Sequence, residues 1–495
     1  MTEPTTFSAL NYTILAIYLL AMIAIGWRFA GNQKTTEDFF LAGRKMPWLA
    51  VAMSMYASLT SAITFIAIPA TAYEENIAFL VVSLMSPLVT PVLIFLFYPF
   101  YLRLRVTTSY EYINQRFGRP ARLTVSVLFI LARLGWLGTV IYAPALALSV
   151  VSGIPLWVSI LSIGFFATIY TTLGGMAAVI WTDVVQFVIM IGGAIWLAIT
   201  LGANVPNGVE GIMRLAADSG RLHVLDWKLS LYAMSGPIVG ITYFFQLMQD
   251  YGTDQTTVQR LLAVPTMRGV GKALIFNAAV DFFIIGLLLF IGLGLFAFHQ
   301  TLPNQLPDGL GRDQVLPFYI IHALPNGVSG LLITALFAAA MSSMDSGINC
   351  ISTVIIHDLL KPLRKTPHED ARDVKLARTL TFVIGTAATG VAFYVSGFGH
   401  LLKAYSGIIS LFNAPILALF LLGMLSTRVR FAPWLLASIL AVGANLWVQH
   451  QTAVHWIYYF PLSLGISLFG GYLFSALTPG PRAERDLTVW RRTQL

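Results

Sequence analysis

Charge is what this sequence has least of. Only 11% of its 495 residues are Asp, Glu, Lys or Arg, against 57% hydrophobic. A soluble domain carries roughly 25% charged residues, so the shortage excludes a chain whose surface mainly meets water. Polar linkers are missing as well. A soluble chain of this length divides into about three domains joined by such linkers. Hydrophobic runs of about 20 residues recur here instead, the length that crosses a bilayer core as a helix. A single cysteine, Cys350, excludes an intrachain disulfide. The first hydrophobic run, residues 12–27, lacks a basic region before it and a small-residue cleavage site after it. It reads as a retained helix. His357, His368 and His400 show no metal-ligand spacing, and no nucleophile–base pair stands out, which sets an enzyme aside.

What is there is a series of helices. Thirteen transmembrane spans are predicted, from about 9–28 to 457–476. Those that carry the argument are span two (48–72), spans five and six (156–173 and 176–200), span seven (229–249), span eight (270–299) and span nine (325–348). An odd number puts the termini on opposite sides. With the N-terminus outside, the inner segments hold 24 of the 30 Lys and Arg, the outer ones 5, and Arg133 lies within a span. Lys and Arg concentrate on the cytoplasmic side of membrane proteins. The split therefore predicts a multi-pass protein of the cell (inner) membrane with its C-terminus in the cytoplasm. It also accounts for the net charge of +8 without nucleic acid.

No linker divides the chain, so residues 1–495 read as one transmembrane domain, with no obligate protein partner evident. Spans two to six and seven to eleven overlay with opposite orientation, as inverted repeats of about 48–200 and 229–424. Each set opens on an interrupted helix. Span two carries Ser58-Leu59-Thr60-Ser61, and span seven carries Ser235-Gly236-Pro237 and Gly240. Proline removes a backbone donor and glycine loosens a helix. Paired interruptions in two halves point to a transporter's binding site. Gly, Ser and Pro are also simply commoner in membrane helices.

Five segments, in order, resemble the sodium:solute symporter family, whose members carry sugars, proline, iodide and sialic acid. They are Ala57-Ser58-Leu59-Thr60-Ser61 with Thr64 to Ala70; Thr108 to Tyr112 ending in Arg116-Phe117-Gly118; Gly174 to Val179 with Trp181-Thr182-Asp183; Asp254-Gln255 with Val258-Gln259-Arg260; and Ala339-Ala340-Met341-Ser342-Ser343. The nearest likeness is to bacterial sialic acid and sugar carriers. The resemblance implies an all-α membrane protein with the leucine-transporter-type fold, its inverted five-helix repeats flanked by one N-terminal and two C-terminal helices. It also implies sodium-coupled symport of a small polar organic solute, such as a sugar, a sugar acid or a carboxylate, by alternating access.

Ala339, Ser342, Ser343 and Ser346 recur at intervals of three and four and share one helical face. Hydroxyls and freed carbonyls suit sodium, a hard cation that takes oxygen ligands; small residues also mark close helix packing. By resemblance, the sodium ligands are the carbonyls of Ala57, Thr60 and Ala339 and the hydroxyls of Ser342 and Ser343. Some members hold a second ion. The matching positions here are Asp183, Ser342, Asp345 and Ser346, with Asp345 in place of the usual serine. Asp345 either strengthens such a site, carries a proton or pairs with a cytoplasmic cation. Asp183 has the plainer option of holding helices together.

Ser61 and Thr64, just past the interruption, suit an anionic oxygen. Phe79, Ser83 and Gln246 are further solute candidates, with Tyr243, Phe244 and Phe245 as gating aromatics. Trp136 stands where sialic acid carriers place an arginine, and Ser83 stands where they have a longer amide. Arg133, one turn earlier, either replaces that arginine or snorkels to the surface. Asp281, near Asn277, either contacts solute or braces the bundle. Two rival functions are proton coupling through Asp183 and Asp345, and a membrane sensor or receptor. No signalling domain follows the last span.

Overall fold

The computed structural model describes residues 8–29, 36–104, 106, 108–224, 228–302, 310–361, 370–397, 401–480 and 485–489. His368 and His400 lie outside them. The described residues form helices and no strand, as a bilayer demands. Lipid offers backbone groups no hydrogen bonds, so each segment must satisfy its own.

Fourteen helices carry the account. They are α1 (Ala9–Phe29), α2 (Trp48–Leu59), α3 (Ala62–Glu74), α4 (Leu80–Val92), α5 (Arg119–Ser152), α6 (Leu156–Asn204) and α7 (Gly236–Gly252). After them come α8 (Gln255–Leu262), α9 (Met267–Thr301), α10 (Val328–Val354), α11 (Asp370–Val395), α12 (Leu401–Leu425), α13 (Phe431–Gln451) and α14 (Tyr459–Leu477).

Ten helices among the described residues are long and apolar enough to span, or eleven when the bent pair α2–α3 counts as one. Thirteen were expected. The difference lies at two places. Gly175 (φ 60°, ψ −177°) breaks the helical backbone of α6, leaving only a short apolar helix, Leu156–Ile169, before the long span Gly175–Asn204. Expected span seven begins only at Gly236, because Pro237 favours the first turn of a helix, and α7 runs for 17 residues.

The predicted interruption of span two is real. α2 ends at Leu59, α3 starts at Ala62, and the two axes bend by 59°. Ser61 fixes the restart by accepting a hydrogen bond from the Ile63 N–H at 3.2 Å.

α10 is buried along nearly its whole length, while α1 and α13 face mainly outward. A helix with no lipid-facing side has room for polar residues on every face. α10 uses it for Ser342, Ser343, Asp345 and Ser346, all fully buried. Small residues let the helices around it approach closely. On α9, a Cβ at Gly292 would fall 2.3 Å from the Pro69 carbonyl oxygen of α3. Backbone cannot yield as a side chain can. Gly292→Leu is therefore expected to destabilise the bundle by about 1–3 kcal/mol. It should appear as a lower Tm of the purified protein in detergent; an unchanged Tm would contradict this packing.

Segments quoted for the family resemblance also do structural work. Gly118 sits at φ 84°, where a side chain is strained, and lets the chain turn into α5. Arg116 donates to the carbonyls of Gly423, Ser426 and Val429, fixing the end of α12.

Candidate functional site

A helix that stops inside a protein leaves its last carbonyls without partners. At the end of α2, the Tyr56 carbonyl accepts from the Thr60 N–H at 2.9 Å. The next two carbonyls are met from α10. The Ser342 hydroxyl donates to the Ala57 carbonyl at 2.8 Å and to the Ala339 carbonyl at 3.1 Å. The Ser343 hydroxyl donates to the Ser58 carbonyl at 2.9 Å. Ala57, Ala339, Ser342 and Ser343 are wholly buried.

The structure thus gathers the Ala57 and Ala339 carbonyls around the Ser342 hydroxyl. Ser343 lies one residue on, against Ser58. Thr60 stands at the break itself and lines the adjoining cavity. Each hydroxyl keeps lone pairs for a cation. The C-terminal end of α2 adds the negative pole of its helix dipole. The donor set fits sodium: hard, neutral oxygens with the field of a helix end behind them.

Beside this site lies a buried polar cluster centred on Arg260 of α8. Its Nη2 contacts Asp183 Oδ2 at 3.1 Å, its Nε donates to the Ser54 hydroxyl at 2.9 Å, and its Nη1 donates to the Thr256 carbonyl at 3.0 Å. It also donates to the Ser346 hydroxyl. The same Asp183 oxygen accepts from Ser54 at 2.6 Å and Ser58 at 3.2 Å. Ser346 bonds Asp345 Oδ1 at 3.1 Å and Ser58 at 2.8 Å. The expected second-ion residues Asp183, Asp345 and Ser346 therefore do meet, with Arg260 on Asp183 and Ser346 and with Asp345 joined through Ser346; the sequence shows Arg260 only as part of a family segment. The available signal was the density of polar side chains in residues 253–260.

The cavity opens on the other side of the break. Thr60, Ser61 and Thr64 line it from the α2–α3 junction, with Phe79, Arg133, Trp136 and Gln246. The cavity encloses about 140 Å³ and is open on one side. Phe79 packs against Tyr243 and Trp456, with centroids 5.7 and 6.4 Å apart. Gln246 donates to the Tyr405 hydroxyl at 2.9 Å. Asp250, Asp281, Tyr405 and Asn413 also line the cavity.

Several expectations are corrected. Ser83 is buried off the cavity, and its hydroxyl donates to the Leu80 carbonyl of its own helix at 2.8 Å. Phe244 and Phe245 face a separate apolar groove beside Met85 and Gly240, so only Tyr243 of that trio reaches the cavity. Arg133 does not snorkel: it is 5% exposed, pairs with Asp254 and stacks 4.3 Å from the Trp136 ring centroid. Asn277 braces α9 on α2, donating to the Ala52 carbonyl at 3.0 Å. Asp250 escaped notice because it sat one residue past the predicted end of span seven.

The family model of the sodium:solute symporter family matches residues 39–440. The chain belongs to that family. It is 32% identical to the sodium/sialic acid symporter NanT of Aliivibrio fischeri, over 95% of this chain and 94% of the relative. It is 31% identical to the sodium/sialic acid symporter SiaT of Proteus mirabilis, over 97% and 98%. A solved sodium-coupled sialic acid symporter, substrate-bound and outward-open, superposes with a TM-score of 0.90 at 30% identity, over 97% of this chain and 99% of that one. This symporter is a multi-span membrane transporter coupled to sodium, and not an enzyme.

Proposed function

We propose that one sodium ion, bound by the carbonyls of Ala57, Thr60 and Ala339 and the hydroxyls of Ser342 and Ser343, drives a small polar organic solute through the cavity by alternating access. One observation carries this reading: a single helix break serves both tasks. Its α2 side offers carbonyls to Ser342 and Ser343. Its α3 side lines the cavity with Ser61 and Thr64. An ion that draws α2 onto α10 pre-organises Ser61 and Thr64, so the two affinities are linked reciprocally. The remaining solute contacts are Phe79, Trp136 and Gln246, with Arg133 in the cavity wall.

A second monovalent cation is proposed at Asp183, Asp345 and Ser346. Asp183 Oδ1 and Gln186 Oε1 are buried and accept no hydrogen bond. Three residues apart, they share one face of α6. Arg260 holds the other Asp183 oxygen, leaving Oδ1 to an ion.

For topology we propose thirteen crossings, with the helix Leu156–Ile169 and α7 crossing as short helices. The repeats 48–200 and 229–424 are inverted, flanked by one N-terminal and two C-terminal helices. The N-terminus lies outside and the C-terminus in the cytoplasm, in a cell membrane. The 24-to-5 distribution of Lys and Arg supports this orientation.

The test is uptake into proteoliposomes. Labelled N-acetylneuraminate, galactose and glucosamine are offered with an inward sodium gradient, then with choline replacing sodium, then with a pH gradient alone. At least one solute is expected to accumulate with sodium only. Uptake of all three that ignores sodium overturns the proposal. Accumulation driven by the pH gradient would favour proton coupling through Asp183 and Asp345.

A further inference from the structure

The charges lining the cavity do not balance. Arg133 is the only cation among the described residues that line it, against Asp250 and Asp281. That cation is already engaged: Asp254 pairs with it and Trp136 lies beneath it. Among the described residues no ion pair involves Asp281. It projects from the middle of α9 into the cavity, and its Oδ2 is buried and accepts no hydrogen bond. A carboxylate in that position is costly to maintain in a membrane interior and marks a functional contact. An incoming anion would meet it at low dielectric, where repulsion is strong. An incoming hydrogen-bond donor would satisfy it.

We propose that Asp281 selects the solute by accepting a hydrogen bond from a hydroxyl or ammonium group, so that this symporter carries a neutral or amine-bearing solute and rejects free carboxylates. The inference rests on the cavity being the solute site. It separates this chain from the two bacterial relatives named for sialic acid, an anionic sugar. The other walls agree. Tyr405 and Gln246 already bond each other, and Asn413 Oδ1 is a second buried acceptor without a donor. The Tyr56 hydroxyl, also in the cavity wall and without a hydrogen bond, can donate or accept.

The test is thermal shift of the full-length protein in detergent, in sodium and in choline. The probes are galactose, glucosamine, glucuronate and N-acetylneuraminate. Galactose or glucosamine is expected to raise the Tm in sodium, at a half-saturating concentration at least about tenfold below that of either acid. Galactose alone would identify a hydroxyl as the donor, and glucosamine alone an ammonium. Asp281→Asn should raise the half-saturating concentration of that sugar about tenfold or more, the usual weight of a hydrogen bond to a charged group. Asp281→Glu should restore part of it. Stabilisation by sodium alone should persist in Asp281→Asn, which shows that the variant folds. The proposal is overturned if either acid binds as tightly as its neutral or amino counterpart, if Asp281→Asn leaves sugar binding unchanged, or if neither sugar binds. Wild-type protein that sodium alone fails to stabilise speaks instead against the sodium site, and the comparison of sugars with acids still stands.

Discussion

Arg260→Ala is expected to abolish sodium-driven uptake and to lower the Tm by more than any other single substitution in the cavity or the ion sites. The guanidinium is fully buried and holds Asp183, Ser54, Ser346 and the Thr256 carbonyl together. Removing one partner of a buried pair leaves the other charge without compensation, at a cost of about 3–5 kcal/mol. Asp183 would be that charge. Arg260→Lys should recover only part of the loss, because an ammonium keeps the charge but not the fork that reaches several acceptors. Tm in detergent and uptake in proteoliposomes report the two effects separately. A Tm of Arg260→Ala equal to the wild type would show that the cluster does not depend on this ion pair.

Ser342→Ala combined with Ser343→Ala is expected to raise the sodium concentration for half-maximal uptake by two orders of magnitude or more. Each hydroxyl offered to a charged ligand contributes roughly 1.5–3 kcal/mol, and about 1.4 kcal/mol is a factor of ten. The single variants should each shift the dependence about tenfold. The two positions are neighbours on one helix, so their effects need not add. Through linkage, solute affinity should fall with sodium affinity when measured below sodium saturation, and recover at high sodium. That recovery distinguishes loss of an ion ligand from general damage to the fold. Sodium dependence unchanged in both single variants would remove the ion from this pair.

How far the sequence led depended on whether a feature is local. The interruption of α2 was readable because Ser58, Thr60 and Ser61 break a hydrophobic run in plain view. So was the serine face of α10, which repeats at helical spacing. Span seven was misjudged by several residues. Composition follows hydrophobicity, whereas Pro237 sets where the helix can begin. The partnerships of charged residues were not readable at all. Arg133 finds Asp254 and Arg260 finds Asp183 across long stretches of sequence, and nothing local in either residue names its partner. Ser83 failed for the opposite reason. Its position on α4 was plausible, but its hydroxyl bonds the backbone of its own helix.

One short helix bears on how such a protein changes its cargo. α8 runs eight residues, about 12 Å of rise. At its start Asp254 caps the helix through the Thr256 N–H and holds Arg133 at the cavity wall. Near its end Arg260 sits among Ser54, Asp183 and Ser346. The cavity wall and this polar cluster are thus opposite ends of one rigid strut, and a guanidinium is pinned at each end. Residues away from that strut, such as Asp281, can vary without disturbing it. A lineage of carriers is then free to exchange cargoes while its drive train stays the same.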